Sequence, residues 1–159
     1  MAVSADDLPY RDCVGMMVVN NDRLIFAGER NALAGSWQMP QGGIDNGEEA
    51  SAAALRELEE ETGILAVTEI GRIDRWLHYD LPADLIGKAL KGRYRGQRQR
   101  WFAYRFDGQE SDINVIGVDH PEFTSWRWMK PEALEASVIG FKHHIYRDVF
   151  EEFRPLLEG

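Results

Sequence analysis

The chain is short of cysteine, of positive charge and of long apolar runs, and each shortage removes a class of protein. Cys13 is the single cysteine among 159 residues, so no intrachain disulfide can staple the fold, and a reducing cytoplasm is the expected setting. Set in an apolar run, its thiol reads as core rather than nucleophile. No stretch approaches the ~20 apolar residues of a membrane span, and the acidic, weakly apolar N-terminus is not expected to be a signal peptide. No membrane partner is therefore expected. Lysine and arginine number 18 against 27 aspartates and glutamates, a net charge of −9, which argues at first against a polyanionic partner and gives no sign of DNA sequence recognition. Histidine is sparse too, and His143 and His144 are adjacent, on different helix faces, a poor geometry for joint metal binding. With 44% apolar residues, a chain of this length suits one good core, hence one domain over residues 1–159.

The scarce positive charge is concentrated. Between Lys88 and Arg105 lie seven basic residues and no acidic one, a local stripe able to hold phosphates on an otherwise acidic surface. The part from Lys88 to Arg95 reads equally well as a solvated loop. Arg98 and Arg100 are the stronger substrate-binding candidates, because they lead into the aromatic strand WFAYRF and alternation places both on one face.

The acidic residues are organised more tightly still. From Gly42 to Ile64 a glycine turn feeds a helix in which Glu57, Glu60 and Glu61 stand at i, i+3 and i+4, neighbours with Cβ atoms roughly 5–6 Å apart. Such crowding is tolerated when a cation sits among the carboxylates or water screens them. Oxygen ligands of this kind suit Mg²⁺, Mn²⁺ or Ca²⁺ and not zinc. Two Mg²⁺ ions about 4 Å apart would activate a water and neutralise phosphate oxygens in an in-line displacement. Asn46 followed by Glu49 predicts an N-cap with a capping box, Gly63 the left-handed C-terminal stop, and Leu55 with Leu58 the buried side. Arg56 lies too far from Glu48 for a routine helix pair, but reaches it if Glu48 sits on an irregular first turn.

The other elements read as strands Cys13 to Val19 and Leu24 to Arg30 in a hairpin around Asn20–Asp22, then a loop from Asn31 to Gly47 that delivers the acidic helix. Strands follow around Thr68 to Tyr79, Arg98 to Phe106 and Thr124 to Met129. Pro131 opens a short helix, and Phe141 to Leu157 predicts one closing amphipathic helix. The interleaving predicts an α/β fold with a mixed sheet between helices. Tryptophans 37, 101, 126 and 128 read as packing.

The string from Gly42 to Ile64 resembles the Nudix box at every fixed position: Gly42, Glu48, Arg56, Glu57, Leu58, Glu60, Glu61, Gly63 and Ile64. The resemblance implies an α/β/α sandwich and hydrolysis of nucleoside diphosphates linked to another group. It implies Glu57, Glu60 and Glu61 as ligands of Mg²⁺, with Mn²⁺ as a substitute and two or more ions, and the Gly42 carbonyl as a further ligand. Arg56 would position these groups. Segments outside the box, PYR at 9–11, GSWQMPQGG at 35–43, WLHYDLP at 76–82, GQRQRWF at 96–102, HPEFTSWRW at 120–128 and FKHHIY at 141–146, resemble one branch in this order. That branch contains bacterial RNA 5′-pyrophosphohydrolases and plant-type dinucleoside tetraphosphate hydrolases.

By this resemblance Glu122 completes the metal cluster or serves as general base, and which carboxylate takes the proton stays open. Arg11 and Arg30 are planar forks suited to phosphate. Tyr79 would bond a phosphate or stack on a base, and Phe141 and Lys142 would meet a nucleotide next to the cleaved end. Three activities follow as expectations. The first is removal of pyrophosphate from triphosphorylated RNA, the second asymmetric cleavage of diadenosine tetraphosphate to ATP and AMP, and the third a sensing module without catalysis. Protein partners are not indicated by any residue.

Overall fold

The computed structural model describes residues 5–138 and 140–158; the first four residues, part of the N-terminal stretch considered above, lie outside it. The strand β1 (Tyr10–Val19) is buried from Cys13 onward, because it has neighbours on both edges and helices over both faces. Along one edge it runs parallel to β7 (Gly96–Phe106), in register from Tyr10↔Gly96 to Val19↔Arg105. Its other edge is divided between two strands. β2 (Ile25–Arg30) pairs with it at Val19↔Ile25, and β4 (Gln41–Gly43) pairs with its first half, Cys13↔Gly43 to Gly15↔Gln41.

β3 (Trp37–Gln38) and β8 (Phe123–Met129) both pair with β2, while β5 (Val67–Arg72) and β6 (Leu77–Asp80) pair with β7. One face of this mixed sheet carries Val14, Met16, Val18 and Phe102 against Leu58 of α1 (Ala50–Thr62). The other carries Met17, Trp101 and Ala103 against Ile145, Tyr146 and Val149 of α3 (His143–Glu152), with α2 (Pro131–Ser137) beside it. Helices thus cover both faces, as the sequence predicts.

Five local expectations are corrected, the last of them the burial of Leu55. The stretch from Asn31 to Gly47 contains the two short strands β3 and β4 rather than loop alone. The strand expected from Thr68 to Tyr79 is two strands, parted by a bend over residues 73–76 after the Ile73 N–H makes the first strand's last bond to β7, on the Trp101 carbonyl. The closing helix is broken into a 3₁₀ turn at Gly140–Lys142, then α3, then α4 (Arg154–Leu157); Pro155 lacks the N–H that a continuous helix requires. The acidic helix is capped by Glu49, without a side-chain cap bond, and Asn46 sits in the preceding turn. Glu48 closes that turn instead, its carboxylate accepting the Asp45 N–H at 3.0 Å.

Within α1 the buried stripe is Ala53, Ala54, Leu58 and Thr62. Leu55 lies outside it, 49% exposed, on the stripe that also holds the exposed Glu59. Gly63 does end the helix with φ +75°, its N–H returning to the Glu59 carbonyl. On the same side of the sheet the buried Tyr104 hydroxyl has no hydrogen-bond partner among the described residues. A buried polar group left unsatisfied costs about 1–3 kcal/mol. Tyr104→Phe is therefore expected to raise the melting temperature, by about 2–4 °C for each kcal/mol recovered, and a lower melting temperature would reveal a partner for that hydroxyl.

Candidate active site

The site is assembled around the glycine pair Gly42–Gly43, where β4 lies between α1 and β1. An ideal Cβ on Gly42 would stand 2.1 Å from Cδ of Glu57, and one on Gly43 would stand 2.5 Å from Nη2 of Arg11. Side chains alternate across a strand, so the two glycines admit one carboxylate from the helix side and one guanidinium from the opposite side. No residue with a side chain fits either place without displacing its neighbour.

Arg56 is the hub of the helix side. Its Nε and Nη2 each donate to the Glu48 carboxylate at 2.9 Å, Nη2 also to the Gly43 carbonyl at 2.9 Å, and Nη1 to Glu57 at 2.9 Å and Glu60 at 3.2 Å. Glu48 therefore does sit on an irregular turn within reach of Arg56, and the pair braces the loop against the helix. The Arg56 fork holds the Glu48 carboxyl down at about 2, well below its ordinary value. Burial pushes the Glu57 carboxyl up, against the pull of Arg56. Glu61 is pushed well up, first by burial and then by Glu57 and Glu122. Its one hydrogen bond is from the Gln41 N–H, at 3.4 Å.

Arg56, Glu57, Glu59, Glu60, Glu61 and Glu122 line a cleft of about 580 Å³ with Val118, Asp119 and His120. Glu122 arrives from a distant loop, held where Asn31 donates its backbone N–H to the Glu122 carbonyl at 3.0 Å and its side-chain amide to the Pro121 carbonyl at 2.5 Å. The structure thus brings together four of the carboxylates singled out in the sequence. Among the described residues, however, no three His, Cys, Asp or Glu side chains are gathered closely enough to grip an ion as they stand. Arg56 spans Glu57 and Glu60 instead. The donor set nevertheless fits a hard cation: it is all oxygen, and like charges crowd a buried carboxylate that no basic side chain neutralises. Arg56 takes one oxygen of Glu57 and one of Glu60, and among the described residues the other oxygen of each accepts no hydrogen bond and can face an ion.

On the opposite face of the sheet, Arg11, Arg30, Tyr79, Phe141 and Lys142 converge. The Tyr79 ring lies 5.4 Å from that of Phe141 and 5.5 Å from the Lys142 ammonium. Arg11 and Arg30 both act on the Tyr79 hydroxyl, although burial dominates and raises it. Arg30 also acts on Lys142, which is only 7% exposed and is pushed down to about 8, chiefly by burial. Among the described residues, none of these three cations has a carboxylate within ion-pair distance. Cys13 joins the two faces electrostatically: burial pushes its thiol up to about 11, and Arg11, Glu57 and Lys142 all act on it.

Arg98 and Arg100 are placed elsewhere. They do share one face, as alternation predicts, with both guanidiniums over the Trp76 ring at 4.3 and 5.5 Å. That is the face away from Tyr79 and Lys142, because Gln97, Gln99 and Trp101 occupy the intervening positions on the Tyr79 side. Arg98 is bound twice to Asp12, at 2.5 and 3.1 Å, and Arg100 lies 3.8 Å from Asp74.

The structure adds residues that sequence reasoning passed over. Gln97 and Gln99 are buried beside Arg11 and Cys13, the Gln99 amide donating to Gln97 at 2.9 Å and toward Gln41 at 3.4 Å, while its carbonyl accepts from the Trp101 indole. Alternating polar residues in GQRQRW were the available signal. Asp119 and His120 join the acidic cleft, and the HPEF string that drew attention to Glu122 already contained His120. Tyr146 accepts the Met39 N–H at 2.8 Å between the two halves of the site, with Arg30 and Glu61 both acting on it.

Comparison with known proteins accords with this geometry. The NUDIX domain model matches residues 9–153. The RNA pyrophosphohydrolase of Rhizobium meliloti (strain 1021) is 49% identical over 166 residues, covering 98% of this chain and 99% of that protein. The protein of the same name from Cereibacter sphaeroides (strain ATCC 17029 / ATH 2.4.9) is 50% identical over 153 residues, covering 94% of each. Among solved structures, the E. coli dihydroneopterin triphosphate pyrophosphohydrolase superposes with a TM-score of 0.68 at 20% identity, covering 89% of this chain and 97% of that one. Its likeness supports the fold. The chain belongs to the NUDIX family.

Proposed function

We propose that this protein removes pyrophosphate from the 5′-triphosphate end of RNA and leaves a 5′-monophosphate. The observation that carries this reading is the convergence of three cations, Arg11, Arg30 and Lys142, that have no carboxylate partner among the described residues, beside the Tyr79–Phe141 aromatic pair, one glycine step from the carboxylates of α1. A net-acidic chain that leaves cations without carboxylate partners beside a tilted pair of rings has a site for an anion joined to a base. The relatives named RNA pyrophosphohydrolase, similar over nearly their whole length, support RNA as that substrate.

Members of this family generally use divalent metal ions. We assign Mg²⁺, with Mn²⁺ as a substitute and two or more ions, to Glu57, Glu60, Glu61, Glu122 and the Gly42 carbonyl. A cation there supplies neutralising charge for the phosphates and makes a nearby water more acidic. Arg56 positions Glu57 and Glu60, and one of the four carboxylates takes the proton from the attacking water. Arg11, Arg30 and Lys142 hold the phosphate oxygens, while Phe141, partly exposed, offers its ring to the first bases and the buried Tyr79 ring backs it. Arg98 and Arg100, committed to Asp12 and Asp74, are assigned no phosphate. We place the reaction in the cytoplasm; no helix among the described residues is long and apolar enough to cross a membrane.

The pocket predicts a pH dependence. Lys142 loses its proton near pH 8 in the folded protein and near 10.5 when its environment is ordinary. Substrate affinity is expected to fall as pH rises through about 8, and Lys142→Arg, which stays charged, to flatten that fall. Stability moves the other way. Below pH 8 both states carry the proton and burial of the charge destabilises the fold. Between 8 and 10.5 the unfolded state binds more protons, so this group's penalty is relieved, by about 3 kcal/mol at most. A KM constant from pH 7 to 9.5 would remove Lys142 from phosphate binding.

The direct test is incubation of triphosphorylated RNA with Mg²⁺ and identification of both products. Monophosphorylated RNA and pyrophosphate, absent when the metal is chelated, are expected. Binding without any product would indicate a sensing module, and ATP with AMP from diadenosine tetraphosphate alone would indicate the dinucleotide hydrolase.

A further inference from the structure

The structure reverses the ranking of the basic residues that the sequence suggests. Of the cations between Lys88 and Arg105, Arg95 is held to Asp80 at 3.1 Å, Arg98 to Asp12, Arg100 to Asp74 and Arg105 to Asp107 at 2.8 Å. Lys88, Lys91 and Arg93 are exposed and have no ion pair among the described residues. All three stand on one loop, residues 81–95, whose single carboxylate is Asp84. The loop is closed at its base by the Leu81 N–H on the Arg95 carbonyl at 2.7 Å and fixed to β1 by the Arg95 N–H on the Pro9 carbonyl at 2.9 Å. Its apolar side, Leu85, Ile86, Ala89 and Leu90, packs on the same buried cluster as Phe141, and that cluster contains Tyr79.

We propose that Lys88, Lys91 and Arg93 form a track for the phosphates of the RNA chain beyond its first nucleotides. This rests on the RNA reading above and extends it from the end group to the body of the substrate. The loop leaves β6 two residues after Tyr79, whose ring meets that of Phe141, and is anchored through its apolar side while its three cations are exposed, so a strand leaving the aromatic pair along this loop meets positive charge opposed on the loop by Asp84 alone. On a chain of net charge −9, such a track gives a continuing polyanion an advantage that a short substrate does not share. Each phosphate neutralised on a single strand contributes about 0.7 to the slope of log affinity against log salt.

The experiment compares the intact protein with the triple variant Lys88→Ala/Lys91→Ala/Arg93→Ala. The substrates are a triphosphorylated dinucleotide and a triphosphorylated 12-mer, assayed for kcat/KM over a range of salt. The intact protein is expected to favour the 12-mer. The triple variant is expected to lose about tenfold on the 12-mer and nothing on the dinucleotide, with the salt slope on the 12-mer shallower by about 2. Equal loss on both substrates, or no loss on the 12-mer, would overturn the track. Should the intact protein hydrolyse neither RNA, the functional reading fails separately. Fluorescence anisotropy with a monophosphorylated 12-mer then decides the track by itself, an unchanged Kd in the triple variant counting against it.

Discussion

Glu57→Gln is expected to lower kcat about a thousandfold and to leave the free energy of unfolding unchanged or slightly higher. The carboxylate is half-buried, and burial already pushes its proton affinity up against the pull of Arg56. Glutamine keeps an oxygen to accept from Arg56 and removes a charge that the fold holds at a cost. What it removes is one anionic donor of the proposed metal site. Metal charge stabilisation is worth several kcal/mol in the transition state, and about 4 kcal/mol corresponds to three orders of magnitude in rate. Steady-state kinetics, urea unfolding and Mn²⁺ titration on one preparation separate the two effects. Turnover equal to that of the unaltered protein would sink the assignment of Glu57 to the metal.

Gly42→Ala should lower kcat about a hundredfold without adding or removing any charge. Gly42 does not adopt a left-handed backbone, so alanine is conformationally acceptable there and the whole effect is steric. The added methyl carbon would lie 2.1 Å from Cδ of Glu57, which forces that side chain from its place beside β4. Misplacing a reacting group by about 1 Å can cost about 10² in rate, and the overpacking should cost about 1–3 kcal/mol of stability. Shortening the collided side chain gives the control. In Glu57→Asp the methyl group has room, so Gly42→Ala should be far less harmful in that background. Full additivity of the two changes in kcat would contradict a direct collision.

The parts of the site that depend on local spacing were legible in the sequence. Glu57, Glu60 and Glu61 are fixed relative to one another by helical geometry, and Gly63 ends their helix because only a left-handed turn fits there. The reach of Arg56 to Glu48 depended on one condition, an irregular turn, and the Asp45–Glu48 turn meets it. Long-range pairing was not legible. Arg98 finds Asp12 because β1 and β7 run parallel in a register that no local pattern specifies; the partners are 86 positions apart. The same register buries Gln97 and Gln99 beside Arg11 and Cys13. Burial of Lys142 followed from a 3₁₀ turn where one continuous helix was expected, and Leu55 fell on the exposed stripe because Ala53 and Ala54 let α1 approach the sheet along another line. Pro155 was in plain view and should have ended the closing helix.

The measurement that tests the account most directly is kcat/KM with Mg²⁺ on triphosphorylated RNA and on diadenosine tetraphosphate in parallel, with products identified and Glu57→Gln as the blank. A clear preference for RNA is expected, with pyrophosphate and monophosphorylated RNA as products and activity lost in the blank. A preference for the dinucleotide, with ATP and AMP released and RNA left intact, would contradict it.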